Sequence, residues 1–398
     1  VSGLDSLALR HRLVEGMRRR GVLHSRRIEQ AFMTVPRESF LPGLPLEEVY
    51  ADRSIVIKSC GDEVLSTSSQ PSMMAIMFEQ LAVHEGDRIL EIGTGSGYNA
   101  ALLAALSGAH GSVTSLDIDA DLIEAARARL AKHDGAITLL AADAEQLGSL
   151  GERFDRIMVT VAAAEVSPQW FAALREDGRL VVPLELGVLQ LCAGFERKGV
   201  SLLSASCAGT AFIPLRGAAR HAACNARLSE APFIVRTACG EGMGAAEAWK
   251  LLCAGPSSDL AAAIALEELD DAAHWLDVRR PDFCVLTAYG SALGPRIVPN
   301  VSVCAEGTPD ESVMTFGYAA RDGLAVFALG PAGDVRIRAY GTPEPAGRLQ
   351  ADLAAWNAAG RPALGRMQLE VAFEKPAAVR PGDLVLERPR STLLVRWL

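Results

Sequence analysis

The sequence predicts a doubly wound, mostly parallel α/β sheet followed by a second, smaller α+β domain. Three observations predict it. Between residues 88 and 175 short apolar runs alternate with helix-period segments, the pattern of a parallel sheet covered on both faces. The first of those runs, RILEI (88–92), opens directly into a glycine-rich turn, GTGSG (93–97), and then a small-residue helix. Beyond Gly178 the alternation gives way to strands alone, and 398 residues exceed what one hydrophobic core ordinarily serves. The first domain is expected to close near Arg220, which divides the chain into 1–220 and 221–398.

Local pattern justifies each element in turn. Residues 4–20 and 25–34 mix Arg with apolar positions at helical spacing and read as two helices, an N-terminal cap on the first domain. Residues 41–70 contain Pro42, Pro45, Gly61 and polar clusters, so long loops with short strands are expected. Helix 71–83 begins on Pro71, where a missing N–H costs nothing. Strands 88–92, 112–117, 137–141 and 155–161 alternate with helices 98–107, 119–132 and 168–175. Strands 179–184, 188–196 and 200–206 follow, with a hairpin turn in GFERKGV. In the second domain 245–254 and 257–269 read as helices, and 283–288, 313–319, 324–329 and 334–340 as strands separated by Gly and Pro turns. A helix at 347–359 and strands at 367–373 and 384–396 finish the chain.

The glycine turn carries the chemistry. A strand running into such a turn and a helix N-terminus is expected to aim bare N–H groups and a positive dipole end at a nucleotide-like cofactor. Dinucleotide sites read G-x-G-x-x-G, whereas Gly93, Gly95 and Gly97 fall at every second position and Tyr98 fills the slot of the third glycine. A pyrophosphate therefore fits poorly, which makes a nicotinamide-dependent oxidoreductase only a remote alternative. Glu91, two places before Gly93, repels a diphosphate and attracts an ammonium or sulfonium group. S-adenosyl-L-methionine carries both. Asp117 ends the next strand, where a carboxylate accepts ribose hydroxyls, and Asp143 ends the third, where one can take the adenine amino group. Thr160, Val161 and Ala162 follow the fourth strand, at the sheet end where ligands bind. Their TVAA differs from the Asn/Asp-Pro-Pro-aromatic element of nucleobase amino-methylation, so nucleic acid is a poor substrate candidate.

Four segments together resemble the protein-L-isoaspartate O-methyltransferase family: LSTSSQPSMMAIM (65–77), ILEIGTGSGYNAALLA (89–104), FDRIMVTVAAAEVSPQWFAALREDGRLVVPL (154–184) and AFIPLRG (211–217). GVLHSRRIEQAFMTVPRESFLP and YADRSIVI match that family's N-terminal cap, so the resemblance covers roughly residues 7–217. It implies a Rossmann-like S-adenosylmethionine-dependent methyltransferase fold, with S-adenosyl-L-homocysteine as product. It also implies Ser69 as the active-site serine. Cofactor contacts are then expected from Ser68, Gln70, Glu91, Gly93, Thr94, Gly95, Gly97, Asn99, Asp117, Ile118, Asp143, Ala144 and Thr160. Substrate contacts are expected from Ser69, Val161, Ala162, Ile213, Pro214 and Leu215. Asp117 departs from the family, which more often carries Glu there, yet its shorter side chain still reaches a ribose. The stretch VRIRAYG with RLQADLAAWNAAGRPALGRMQLEV resembles the C-terminal extension of longer family members, some of which tailor ribosomally made peptides. A structural appendage or a dimer contact is an equal reading of that extension.

Composition narrows the partners. The net charge of −9 divides evenly, with 22 Lys and Arg against 27 Asp and Glu in residues 1–220 and 17 against 21 in 221–398, so neither half offers a basic surface for nucleic acid. Arg10, Arg12, Arg18, Arg19, Arg20, Arg26 and Arg27 form the one local exception. They read as a solvated helix face, with docking of an acidic peptide as the rival. No apolar run reaches the roughly 18 residues of a membrane span, and the first residues lack a signal-peptide core, so a cytoplasmic enzyme is expected. The eight cysteines form no C-x-x-C pair, and neither a metal site nor a disulfide framework is expected.

The reaction explains the missing base. A methyl sulfonium is already activated and a carboxylate already ionised, so alignment and exclusion of water suffice, and positioning can supply about 7–11 kcal/mol. Ser69 is expected to orient the acceptor carboxylate as a hydrogen-bond donor. Its bland alternative is an N-cap for the helix at Pro71, which Gln70 could serve equally. The acceptor is an aspartyl or isoaspartyl carboxylate in a peptide or protein, whose ester closes to a succinimide. The large extension favours tailoring of one encoded peptide, giving an aspartimide, with general isoaspartate repair as the alternative.

Overall fold

The computed structural model describes residues 5–61, 63–133, 135–147, 151, 153–218, 225–227, 233–237, 243–288, 298–299, 301, 313–374 and 379–398. Two compact units emerge: Val1–Leu184 with Leu191–His221 and Gln368–Arg396, and Glu185–Gln190 with Ala222–Met367 and Trp397–Leu398. The division is therefore interleaved, in place of the expected single break near Arg220, because the last strands rejoin the first unit's sheet.

The first unit begins with helices α1 (Ser6–Arg19), α2 (Arg26–Thr34) and α3 (Leu46–Val49) and a two-stranded hairpin, β1 (Ile55–Cys60) and β2 (Glu63–Ser68). Then come α4 (Pro71–Leu81), β3 (Arg88–Ile92), α5 (Tyr98–Ser107), β4 (Ser112–Asp117), α6 (Ala120–Leu130), β5 (Ile137–Ala141), β6 (Phe154–Val159), α7 (Pro168–Ala173), β7 (Leu174–Glu185), β8 (Gln190–Lys198) and β9 (Ser201–Thr210). Strands pair in parallel in the order β5-β4-β3-β6-β7. α5 is apolar around its circumference and buried nearly throughout, as a helix packed on both sides must be. Four of the N-terminal arginines are spent on packing: Arg10 donates to Tyr50 and Met33 O, Arg18 pairs with Glu29, Arg20 with Asp52, and Arg27 donates to Val83 O and Leu106 O.

The second unit contains β10 (Asn225–Arg227), β11 (Phe233–Thr237), α8 (Ala245–Ala254), β12 (Ser258–Ala261), α9 (Leu269–Asp277), β13 (Phe283–Ala288), β14 (Val313–Ala320), β15 (Gly323–Leu329), β16 (Val335–Gly341) and α10 (Glu344–Ala358). Its seven strands run antiparallel in the order β10-β11-β13-β14-β15-β16-β12. Period-two alternation splits the side chains between two cores. Phe283, Val285, Ala325 and Phe327 join Leu276, Leu353 and Trp356, whereas Cys284, Leu286, Leu324 and Val326 join Ala248 and Leu252. The helix expected at 257–269 is an edge strand, β12, then a short 3₁₀ turn, with α9 beginning only at Leu269. Pairing with β16 overrides the alanine-rich helix propensity, and Asp259 binds both Arg336 and Arg338 across that edge.

Strands β17 (Met367–Ala372), β18 (Leu384–Glu387) and β19 (Thr392–Trp397) close the chain. They extend the first unit's sheet to ten strands, in the order β18-β19-β17-β9-β8-β7-β6-β3-β4-β5. The sheet is thus mixed: β17 runs antiparallel to β9 and β18 to β19. The single strand expected over 384–396 is a hairpin, broken where Pro389 cannot donate to a ladder. Among the described residues no helix is long and apolar enough to cross a membrane. Cys60, Cys192, Cys207, Cys253 and Cys284 are free thiols; Cys192 and Cys284 are buried, and Cys60 and Cys253 are exposed.

Candidate active site

β3 has β4 on one side and β6 on the other, and a cleft opens at the carboxyl ends of these strands, where the strand order reverses. It holds about 570 Å³ of space, open solvent included, and six chain segments line it. Ile92, Gly93 and Gly95 come from β3 and its turn, and Leu116, Asp117 and Ile118 from the end of β4. Ala142, Ala144, Thr160 and Val161 follow β5 and β6. Leu65–Thr67 of β2 and the 213–216 segment complete the wall.

The glycine turn is wired internally. Gly93 and Thr94 donate their N–H groups to Leu116 O (2.8 and 3.1 Å), Gly95 to Asp117 Oδ2 (3.0 Å), Gly97 to Thr94 O (2.9 Å) and Tyr98 to Ser96 Oγ (3.3 Å). Four of the five N–H groups of the turn 93–97, expected to be bare, are therefore engaged within the protein, which weakens the turn as a phosphate nest. Gly93 has φ +105°, and a Cβ there would lie 2.3 Å from Thr160 Oγ1, the hydroxyl that donates to Ile92 O and Gly93 O. Gly97 allows close packing of the turn on Ala126 and Leu130 of α6.

Glu91 does not face the cleft as expected. It is fully buried beneath the turn, where its carboxylate accepts from Asn99 Nδ2 (2.6 Å) and Ser115 Oγ, and Thr94 Oγ1 joins Ser115 at 2.6 Å. Burial pushes its pKa up to about 7. Asp117 does stand at the end of β4, with Oδ1 accepting from Asp119 N, and burial raises its pKa too. Ile118 beside it leaves 40% of its surface exposed, an apolar face at the cleft. Asp143 is engaged by Glu145 N (2.9 Å) and Ala218 N (2.8 Å), while its neighbours Ala142 and Ala144 line the cleft. These residues fit an adenosyl group with a cationic tail: a turn that glycine shapes at Gly93, and a carboxylate and an apolar face at the end of β4.

The acceptor side is built from the turn before α4. Asp52, not Ser69 or Gln70, caps that helix, accepting from Ser72 N (2.8 Å) and Ser72 Oγ (2.7 Å), while Gln70 Nε2 donates to Asp52 O. The capping alternative for Ser69 therefore falls, and its hydroxyl keeps no protein partner among the described residues. Arg37 fixes the turn. Wholly buried, it donates to Ser69 O (3.0 Å) and Ser68 Oγ (3.4 Å) and to the carbonyls of Val49, Ala51 and Arg53. Burial lowers its pKa to about 10, so it stays charged at neutral pH. Opposite, Ala162 exchanges hydrogen bonds with Ile213 O and Leu215 N (2.8 Å each), which brings Val161, Ile213, Pro214 and Leu215 to one wall. Ser68, Ser69, Gln70, Glu91, Thr94, Gly97, Asn99, Asp143 and Ala162 thus support the cleft or stand beside it without lining it.

Sequence reasoning missed Arg37, Asp52 and an ionic cluster at the β4 end. There Asp119 is held by Lys58 of β1 (3.1 Å) and by Arg216 (2.6 Å), and Lys58 also reaches Asp121 (2.7 Å). Each partner is distant in sequence, so no local spacing signals it. The alternating Asp117, Asp119 and Asp121, from the end of β4 onward, offered the only hint.

Comparison with known proteins agrees with this geometry. The family model for protein-L-isoaspartate(D-aspartate) O-methyltransferase matches residues 8–220. A Thermotoga maritima protein-L-isoaspartate O-methyltransferase is 38% identical over 181 residues, 45% of this chain and 56% of that protein. The Methanocella arvoryzae protein of the same name is 37% identical over 185 residues, 46% of this chain and 95% of its own length. A solved protein-L-isoaspartate O-methyltransferase superposes with TM-score 0.51 at 25% identity, covering 92% of this chain and 96% of that one. With more than half of its length matched and its cleft assembled from the matched segments, the chain belongs to the protein-L-isoaspartate(D-aspartate) O-methyltransferase family.

Proposed function

We propose that this protein is an S-adenosyl-L-methionine-dependent carboxyl O-methyltransferase that esterifies an isoaspartyl residue in a protein or peptide. One observation carries the reading: the donor-side residues Gly93, Gly95, Asp117 and Ile118 and the acceptor-side residues Val161, Ile213 and Leu215 line one cleft, in which the N–H groups of Gly93 and Gly95 are already bound to Leu116 O and Asp117. The bound donor supplies a methyl group already activated on a sulfonium. The chain's own residues have only to hold and align. Thr160 pins the turn through Ile92 O and Gly93 O, Asp117 ties Gly95 to the end of β4, and Arg37 holds the carbonyl of Ser69. The Ser69 hydroxyl, free of protein partners among the described residues, donates a hydrogen bond to one carboxylate oxygen and leaves the other to accept the methyl group.

Repair of isoaspartyl sites takes precedence over tailoring of one encoded peptide. The tailoring reading drew on the size of the extension, and a family member whose fold covers 92% of this chain supports assigning that extension to the family at large. Incubation with labelled methyl donor and matched synthetic peptides tests both. Base-labile methyl ester on the isoaspartyl peptide and none on the aspartyl one supports repair. Turnover restricted to normal aspartate in a constrained peptide supports tailoring, with water-equivalent loss after methylation. No ester on any carboxyl acceptor refutes the assignment.

A further inference from the structure

The return of the last strands to the first unit's sheet gives the C-terminal hairpin a role in the site. The turn between β18 and β19 carries Arg390, and this side chain sits between two carboxylates from the loops that flank the cleft. Its backbone N and Nε donate to Glu165 (3.0 and 2.7 Å), while its two terminal nitrogens donate to Glu145, one of them at 3.3 Å. Glu145 follows Asp143 and Ala144 on the β5 loop, the adenine side. Glu165 follows Val161 and Ala162 on the β6 loop, the acceptor side. Both carboxylate side chains are nearly buried, 11% and 10% exposed, so each is poorly screened. Ser167 Oγ adds a third contact to Glu145 at 3.0 Å.

We infer that Arg390 is a positioning residue for the methyl-transfer site, coupling the loop beneath the donor's adenine to the loop that holds the acceptor. The inference rests on the reading of the cleft as the donor site. Its physical basis is a change of sign. With the guanidinium present the two loops are drawn together by bidentate, charge-assisted hydrogen bonds. Without it two nearly buried carboxylates face each other, and like charges at that spacing push the loops apart. Residue 390 lies outside the segment 8–220 that the family model matches, so this contact is a contribution of the extension.

Calorimetric titration with S-adenosyl-L-homocysteine, paired with thermal denaturation, tests the inference. Arg390→Ala weakens binding about fivefold or more, and Arg390→Ala with Glu165→Gln recovers at least half of that loss on a logarithmic scale, because the repulsion is gone. Arg396→Ala is the control. That arginine, on β19 of the same hairpin, binds Glu370 and Asp383 (2.9 Å each), neither of which belongs to the β5 or β6 loop, and its loss lowers the melting temperature without weakening binding. If Arg390→Ala fails to fold, Arg390→Lys replaces it, since lysine keeps the charge but lacks the planar fork for two carboxylates, and an intermediate affinity is expected. Binding within twofold of wild type for the folded Arg390 variant, or a loss no larger than that of Arg396→Ala, overturns the inference whatever the melting temperature. A wild-type chain that binds no S-adenosyl-L-homocysteine overturns the donor-site reading and this inference together. Wild-type binding that Arg390 does not affect overturns only this one.

Discussion

Replacing Gly93 with alanine separates backbone geometry from mere flexibility in the glycine turn. The residue holds φ +105°, a region side-chain-bearing residues avoid at a cost of about 1–3 kcal/mol. The added Cβ would also stand 2.3 Å from Thr160 Oγ1, and relieving that overlap costs roughly 1–3 kcal/mol. Together these come to about 2–6 kcal/mol, or about 30-fold or more in donor affinity at about 1.4 kcal/mol per decade if the turn yields on binding. Titration with S-adenosyl-L-homocysteine reads the loss, and urea denaturation reads any part expressed as instability instead. Thr160→Ala in the same chain removes the 2.3 Å neighbour and leaves contacts at 3.6 Å. The double variant therefore recovers the steric share and retains about 1–3 kcal/mol of backbone strain. Gly95→Ala is milder: φ is +51° and the nearest neighbours lie at 3.5 Å, so the loss stays near 1 kcal/mol. Unchanged affinity and unchanged stability for Gly93→Ala, or a larger effect at Gly95 than at Gly93, would refute this reasoning.

Ser69→Ala lowers kcat/KM by about 10- to 100-fold, the worth of one hydrogen bond to a charged group, and leaves S-adenosyl-L-homocysteine affinity untouched; weakened donor binding would argue against an acceptor-side role. Arg37→Met strands the buried acceptors at Val49, Ala51, Arg53, Ser68 and Ser69 and destabilises the fold by roughly 3 kcal/mol or more in urea titration, a loss that a tolerant core would not show. Glu91 titrates near 7 when folded against 4.5 unfolded, a raised acid. Its contribution is full below pH 4.5 and is lost as pH rises through 7, a change on the order of 3 kcal/mol. Stability of Glu91→Gln relative to wild type therefore rises across that window, and a flat difference between the two chains would contradict a neutral, buried Glu91.

Local pattern carried most of the first unit. The strands 88–92, 112–117 and 137–141 and the helix 98–107 form where the apolar period places them: the helix satisfies its own backbone, and each strand finds its hydrogen-bond partners in the parallel strands the same pattern predicts beside it. The same holds for Gly93, Asp117 and Ile118, which share one turn-and-strand-end geometry. Where sequence reading failed, long-range pairing outweighed local preference. The alanine-rich 257–269 became β12 because β16 offered an edge, and 384–396 became a hairpin around Pro389. Glu91 illustrates the limit at the site: its position beside the glycines was legible, but which way it points depended on Ser115 and Asn99 waiting beneath the turn.

The sequence by itself determined the fold class, the glycine turn and the family, since each rests on motifs whose residues lie within a few positions of one another. Only the tertiary structure decided who supports them. The cation behind Ser69 comes from 32 positions away, and the one between the cleft loops from 245 and 225 positions away. No spacing rule links such residues, because a buried charge is placed by the unpaired acceptors that the rest of the fold leaves around it.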